Sequence, residues 1–208
     1  MPDIPPGLVF DPSGVEILSF YLPMLIANGG NVVAGLGQYS KLIMVSNVYS
    51  CEPWFFFRDD EPDAFGRGEQ RFVFSCREKI ARKNSNGKRP RREVHGTEGG
   101  GFWKSSTGEK PVADEHGRVL GFFNMLNFYE YHGHNNDYKK KNRKGELKKT
   151  SWIMYEYRLN GERFQEWVIC KIKKTCRKKR EAAGEATEDD DGGLVREIEE
   201  LASSPDED

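Results

Sequence analysis

The stretch Ser151-Trp152-Ile153-Met154-Tyr155-Glu156-Tyr157-Arg158-Leu159 decides the fold. It mixes aromatic and β-branched residues in the way a pleated, half-buried surface favours, and it reads as a strand. Trp167-Val168-Ile169 and Arg71-Phe72-Val73-Phe74 repeat that composition. Strands are predicted over residues 71–75, 101–104, 119–131, 151–159 and 166–172, enough for one antiparallel sheet. The connections over 84–101 and 133–149 are rich in glycine or charge and read as loops.

Upstream of the sheet the periodicity changes. Ser13 followed by Glu16 fits a capping box, and Val15, Leu18, Leu22 and Leu25 recur at helical spacing, so a helix is predicted over 12–27. Pro23 kinks or ends it, and Asn28-Gly29-Gly30 stops it. The class is α+β: a twisted antiparallel sheet packed against an N-terminal helix and short helical elements.

Across 208 residues the net charge is −1, but the charge is unevenly spread. Residues 1–66 carry −6, residues 67–180 carry +16 and residues 181–208 carry −11. A basic central block points to a polyanionic partner. The length favours one domain, 1–176, followed over 177–208 by a basic run and an acidic tail whose composition is that of a disordered segment. No apolar run approaches a membrane span, and Met1 to Gly7 lacks the pattern of a secretory signal.

Cys51, Cys76, Cys170 and Cys176 form no C-x-x-C pair, and His95, His116, His132 and His134 complete no zinc-finger spacing. Reduced, partly buried thiols and no metal are expected. No G-x-S-x-G, H-E-x-x-H or Walker A motif is present, so no enzyme and no cofactor are expected. Gly99-Gly100-Gly101 reads as a turn rather than a phosphate cradle, because the helix such a cradle needs does not follow.

The basic block interleaves cations with aromatics. Lys88-Arg89-Pro90-Arg91-Arg92 precedes Phe102-Trp103-Lys104, and Ser105-Ser106-Thr107-Gly108 follows. A strand tip of this kind can enter the major groove of double-stranded DNA, with Trp103 holding the edge, Lys104 reaching a base or phosphate, and Ser105 and Ser106 as small hydroxyl donors. The competing reading is a solvated basic loop beside a buried Trp. Lys148 and Lys149 belong to a second basic cluster, and Arg177-Lys178-Lys179-Arg180 reads as a nuclear-import run.

These motifs stand in an order that resembles the NAC domain of plant transcription factors. Ile4-Pro5-Pro6-Gly7-Leu8-Val9-Phe10-Asp11-Pro12 is similar to the family's opening L-P-P-G-F-R-F-x-P. Asn86-Gly87-Lys88-Arg89-Pro90-Arg91-Arg92 is similar to N-G-x-R-P-N-R, and Gly101-Phe102-Trp103-Lys104 with Glu109-Lys110 to G-Y-W-K-A-T-G-x-D-K. Lys149 to Leu159 resembles K-T-N-W-I-M-H-E-Y-R-L, and Trp167-Val168-Ile169-Cys170-Lys171-Ile172 resembles W-V-L-C-R-I.

The resemblance implies sequence-specific DNA binding, a nuclear location and dimerisation, as a homodimer or with other proteins of the family. It directs the strand at Trp103 into the groove, with Arg89 and Arg92 beside it, and it puts Pro5, Pro6, Gly7 and Glu16 at the dimer interface. Val9 stands where the family has the arginine of an intersubunit ion pair, so Glu16 loses that partner. Phe123 and Asn124 stand where the family aims two lysines at DNA, which motivates an alternative reading as a partner protein that dimerises without strong DNA binding. In the acidic tail, Leu194, Val195, Ile198 and Leu201 alternate with acids as in segments that recruit a coactivator.

Overall fold

The computed structural model describes residues 9–57, 70–80, 90–96, 99–132, 146–161 and 163–175, apart from the side chains of Gln38, His132 and Glu146. All belong to the first of two units, Met1–Cys176; the second, Arg177–Asp208, lies outside them.

The N-terminal helix runs through three conformations. α1 (Gly14–Glu16) is closed by the capping box, with Ser13 N–H donating to Glu16 Oε2 at 2.8 Å and Glu16 N–H donating to Ser13 Oγ at 3.2 Å. A π-helical turn (Ile17–Tyr21) follows, then α2 (Leu22–Ala27), with Pro23 in its first turn. The kink expected at Pro23 is this widened turn. Proline has no N–H and its ring collides with the carbonyl four residues back, whereas in the π turn Leu22 N–H donates to Ile17 O, five back. The helix therefore passes Pro23 instead of ending there. α3 (Val32–Leu36), capped by Asn31, and a 3-10 turn (Gly37–Leu42) complete the helical layer.

Among the described residues eight strands form one curled sheet: β1 (Met44–Val45), β2 (Gln70–Cys76), β3 (Glu93–Val94), β4 (Gly101–Ser105), β5 (Lys110–Ala113), β6 (Val119–His132), β7 (Glu146–Leu159) and β8 (Trp167–Lys174). Their order is β1-β2-β8-β7-β6-β4-β3, with β5 also on β6. All pairings are antiparallel except β1 with β2, which is parallel, so the expected antiparallel sheet carries one parallel edge. β7 begins at Glu146, so the loop expected over 133–149 gives its last residues to this strand.

Each sheet face has its own core. Ile17, Leu18, Leu22 and Leu25 of the helix pack on Phe72, Phe74, Tyr157 and Ile169. On the opposite face Val73, Trp103, Leu126, Phe128, Trp152 and Met154 are covered by Val48, Tyr49 and Phe56, the last from a 3-10 turn at Pro53–Phe57. Strand alternation divides the residues between the two faces.

Candidate nucleic-acid interface

β4 and β5 lie end to end on the same edge of β6. Trp103, Lys104 and Ser105 pair with Phe128, Asn127 and Leu126, and Lys110 resumes the pairing opposite Phe123. The turn between them, Ser106 to Glu109, is exposed. Its first shoulder is held by Ser106, whose N–H and Oγ both donate to Met125 O, at 3.0 and 3.1 Å. Ser105 Oγ donates to Thr107 O at 2.6 Å. β3 covers the outer edge of β4 at Gly101 and Phe102, and Trp103 N–H donates to Arg92 O at 2.9 Å.

Pairing register sorts the lysines. Lys104, Asn127, Ile153 and Lys173 stand opposite one another across β4, β6, β7 and β8, so they share a face. Tyr129, stacked on Phe102 with centroids 5.4 Å apart, lies two residues along β6 and pairs with Lys149, which adds that lysine to the face. Lys171 lies two residues before Lys173 and is tied to Asp11 Oδ1 at 2.6 Å. This contact holds the Asp11 carboxyl below its usual range. Lys173 lies over the Tyr155 ring at 5.2 Å.

Lys104 and Lys149 thus share a face, whereas Ser105 lies on the other face and Ser106 opens the turn against the middle of β6. Lys148, paired with Glu130, is exposed on the other face. Lys171 falls within the strand predicted over 166–172, whereas Lys173 lies just beyond its predicted end. The alternation Lys171-Ile172-Lys173 was the signal that could have extended it.

Two expected DNA contacts have other surroundings. Trp103 is only 2% exposed and packs against Phe128 at a centroid distance of 5.1 Å. It is a core residue whose backbone fixes where Lys104 begins, as in the buried-Trp reading. Arg92 donates through Nη2 to Glu156 Oε1 at 3.1 Å, and Arg77 Nη1 donates to the same oxygen at 2.9 Å. Tyr49 Oη donates to Glu156 Oε2. Burial pushes the Tyr49 hydroxyl far above its usual value, and the Glu156 charge adds to the effect.

Phe123 packs with Tyr155 and Tyr157 under the helical layer. Asn124, 7% exposed, faces the opposite side and donates to Glu109 Oε1 at 3.2 Å. Gly99 and Gly100 have φ of 121° and 71°, and Gly100 N–H donates to the buried Glu52 carboxylate at 3.1 Å. The amide a phosphate would need is taken by an acid. Arg89, Pro5, Pro6, Gly7 and Arg177 to Arg180 lie outside the described residues, whereas Glu16 is engaged by Ser13 in the capping box.

Among the described residues no cluster of His, Cys, Asp or Glu could hold a metal ion, and no helix is long and apolar enough to cross a membrane. Cys76 and Cys170 are free thiols, and burial pushes the Cys170 thiol well up.

The sequence matches the family described as No apical meristem (NAM) protein over residues 5–159. The chain belongs to the NAC family of plant transcription factors. Similar NAC proteins include NAC domain-containing protein 20 of Oryza sativa subsp. japonica, 32% identical over 184 residues, which span 82% of this chain and 49% of that protein. NAC domain-containing protein 87 of Arabidopsis thaliana is 31% identical over 179 residues, 82% of this chain and 45% of its own length. Protein CUP-SHAPED COTYLEDON 3, also of Arabidopsis thaliana, is 30% identical over 177 residues, 81% and 44% respectively. The chain spans about half the length of these NAC relatives. Its NAC family is one of transcription factors rather than enzymes.

Proposed function

We propose that this NAC protein is a nuclear transcription regulator that binds double-stranded DNA sequence-specifically, with the end of β4 and the turn after it entering the major groove. The observation that carries the reading is the face shared by Lys104, Lys149 and Lys173, of which Lys104 lies two residues before that exposed turn. Cations together with small hydroxyl groups supply both phosphate contact and base readout. Lys104 is the base or phosphate contact at the strand end. Arg92 and Trp103 act behind it, the first through Glu156 and the second through the core.

The test is a mobility shift against family-type and random duplexes at two salt concentrations. Lys104→Ala weakens binding to the family-type duplex, and binding unchanged by it would sink the strand-tip model. Each lysine that neutralises a phosphate lowers the salt slope by about 0.9 when removed.

Dimerisation through Pro5, Pro6, Gly7 and Glu16, import through Arg177 to Arg180, and coactivator recruitment by the acidic tail complete the reading. A fluorescent fusion with the four basic residues replaced by Ala leaves the nucleus if the run is the import signal. A reporter fusion of residues 181–208 tests the tail. The second reading, a protein that pairs with other NAC proteins without strong DNA contact, is favoured by Phe123 and Asn124 in place of the family's lysines. Capture of a NAC protein by a chain that shifts no duplex would select it.

A further inference from the structure

The second shoulder of the β4–β5 turn is Glu109, and it is held by an arrangement that no DNA contact requires. Arg158 Nε and Nη2 donate to Glu109 Oε1 and Oε2 at 2.8 and 2.5 Å, a two-pronged contact that fixes orientation as well as distance. Asn124 Nδ2 adds a third donor at 3.2 Å. Arg158 is itself immobilised: its guanidinium lies over the Phe122 ring at 4.4 Å, and Nη1 donates to Leu159 O at 3.2 Å. Glu109 is thus anchored to β6 and β7, and Ser106 is anchored to β6 through Met125 O. Between these anchors only Thr107 and Gly108 span the tip of the turn.

We propose that Glu109 is a positioning residue for DNA recognition, which through its clamp on Arg158 and Asn124 sets the path of the turn that carries Ser105 and Ser106 to the bases. The proposal rests on the DNA-binding reading above. Anchoring both shoulders spares the turn the ordering cost of binding and holds its hydroxyl oxygens in one register, the requirement for discriminating between base pairs. The Arg158 hydrogen bonds hold the Glu109 carboxyl below its usual range, so the clamp is charged at neutral pH.

A carboxylate beside a DNA-facing turn repels phosphate, and this gives the test its direction. Glu109→Gln removes that repulsion, so electrostatics alone predicts equal or tighter binding to every duplex. Loss of positioning predicts the reverse for the family-type duplex only. The experiment titrates wild type, Glu109→Gln and Glu109→Asp with family-type and random duplexes, alongside thermal unfolding and amide exchange of residues 105–110.

The expected result is a fall of about tenfold in the specific-to-random affinity ratio for Glu109→Gln, the scale of one good base contact. Faster exchange in the turn, a small change in Tm and recovery of the ratio in Glu109→Asp accompany it. An unchanged ratio overturns the proposal, whether both affinities rise, fall or stay, and leaves DNA binding standing. If the wild type shifts no duplex, the DNA reading fails and takes this inference with it, whatever the exchange data show.

Discussion

Arg92 and Glu156, sixty-four residues apart in sequence, meet at 3.1 Å on a carboxylate that is 1% exposed. The same oxygen receives Arg77, whose Nε and Nη2 also donate to Gln165 O at 3.1 and 2.6 Å. One glutamate therefore ties the strand pair β3–β4, the end of β2 and the β7–β8 connection to the middle of the sheet. A residue read from the sequence as a DNA contact is also part of this buried frame.

Glu156→Gln leaves two guanidinium groups facing a neutral amide in a buried site. Breaking a buried ion pair by removing one partner costs about 3–5 kcal/mol. Tyr49→Phe removes only a hydroxyl donor from the same carboxylate and costs about 1–3 kcal/mol. Urea unfolding of the two variants is expected to give that order, and a reversed order would show that Glu156 is not the hub.

Trp103 separates packing from recognition. Trp103→Ala opens a cavity beside Phe128 and costs about 3–5 kcal/mol. Trp103→Phe keeps most of the buried area and discards an indole N–H that has no hydrogen-bond partner among the described residues. Its DNA affinity is expected to stay within about threefold of wild type, well under the loss of a central interface residue. A tenfold loss with Tm preserved would return Trp103 to the DNA surface.

Gly101 leaves no room for a Cβ between β4 and β6. A Cβ there would stand 2.2 Å from Tyr129 O and 2.8 Å from a Phe128 ring atom. Backbone cannot yield as a flexible side chain does, so Gly101→Ala pushes β4 outward and carries Lys104 with it. A cost of about 1–3 kcal/mol is expected from overpacking, together with loss of specific binding. Far-UV circular dichroism and a mobility shift on the same preparation check both.

The long strands were legible because residues buried on both faces of the sheet are aromatic and β-branched: β2, β6 and β8 fall within two residues of their predicted ends. β1 and β3 are two residues each and leave no pattern. β5 contains Pro111, which argues against a strand, and survives because it lies at an edge. Glu146 to Lys149 read as a charged loop, yet pairing with β6 carries them into β7 past a break in register at Asn127 and Tyr129. At the candidate site, charge showed which residues are cationic but not which of them are already spent. Arg92 and Arg158 have their carboxylates 64 and 49 residues away, beyond the reach of any local spacing rule.

Tyr157 gives the fold an alkaline limit. Burial, with smaller contributions from Tyr155 and Asp11, pushes its hydroxyl from 10.0 up to about 12. A pKa raised in the folded state means stability is fully present below the unfolded value near 10 and is lost as pH climbs through the folded one. The loss between those values is on the order of 2–3 kcal/mol. Stability measured from pH 9 to 12 is expected to fall in wild type and to fall less in Tyr157→Phe; parallel curves would rule Tyr157 out as the titrating group.

The placement of β8 between β2 and β7 also orders events during synthesis. β2 emerges from the ribosome about ninety residues before the strand it pairs with, since Cys76 faces Trp167. The Asp11 to Lys171 contact spans 160 positions. Until β8 has been made, Phe74 lacks the Trp167 ring stacked on it, and the helical layer lacks the floor supplied by Ile169. Such long-range closure makes for slow folding and leaves an aromatic strand open to capture in the interval. Truncation before Trp167 is therefore expected to leave a fragment that aggregates instead of a smaller folded domain.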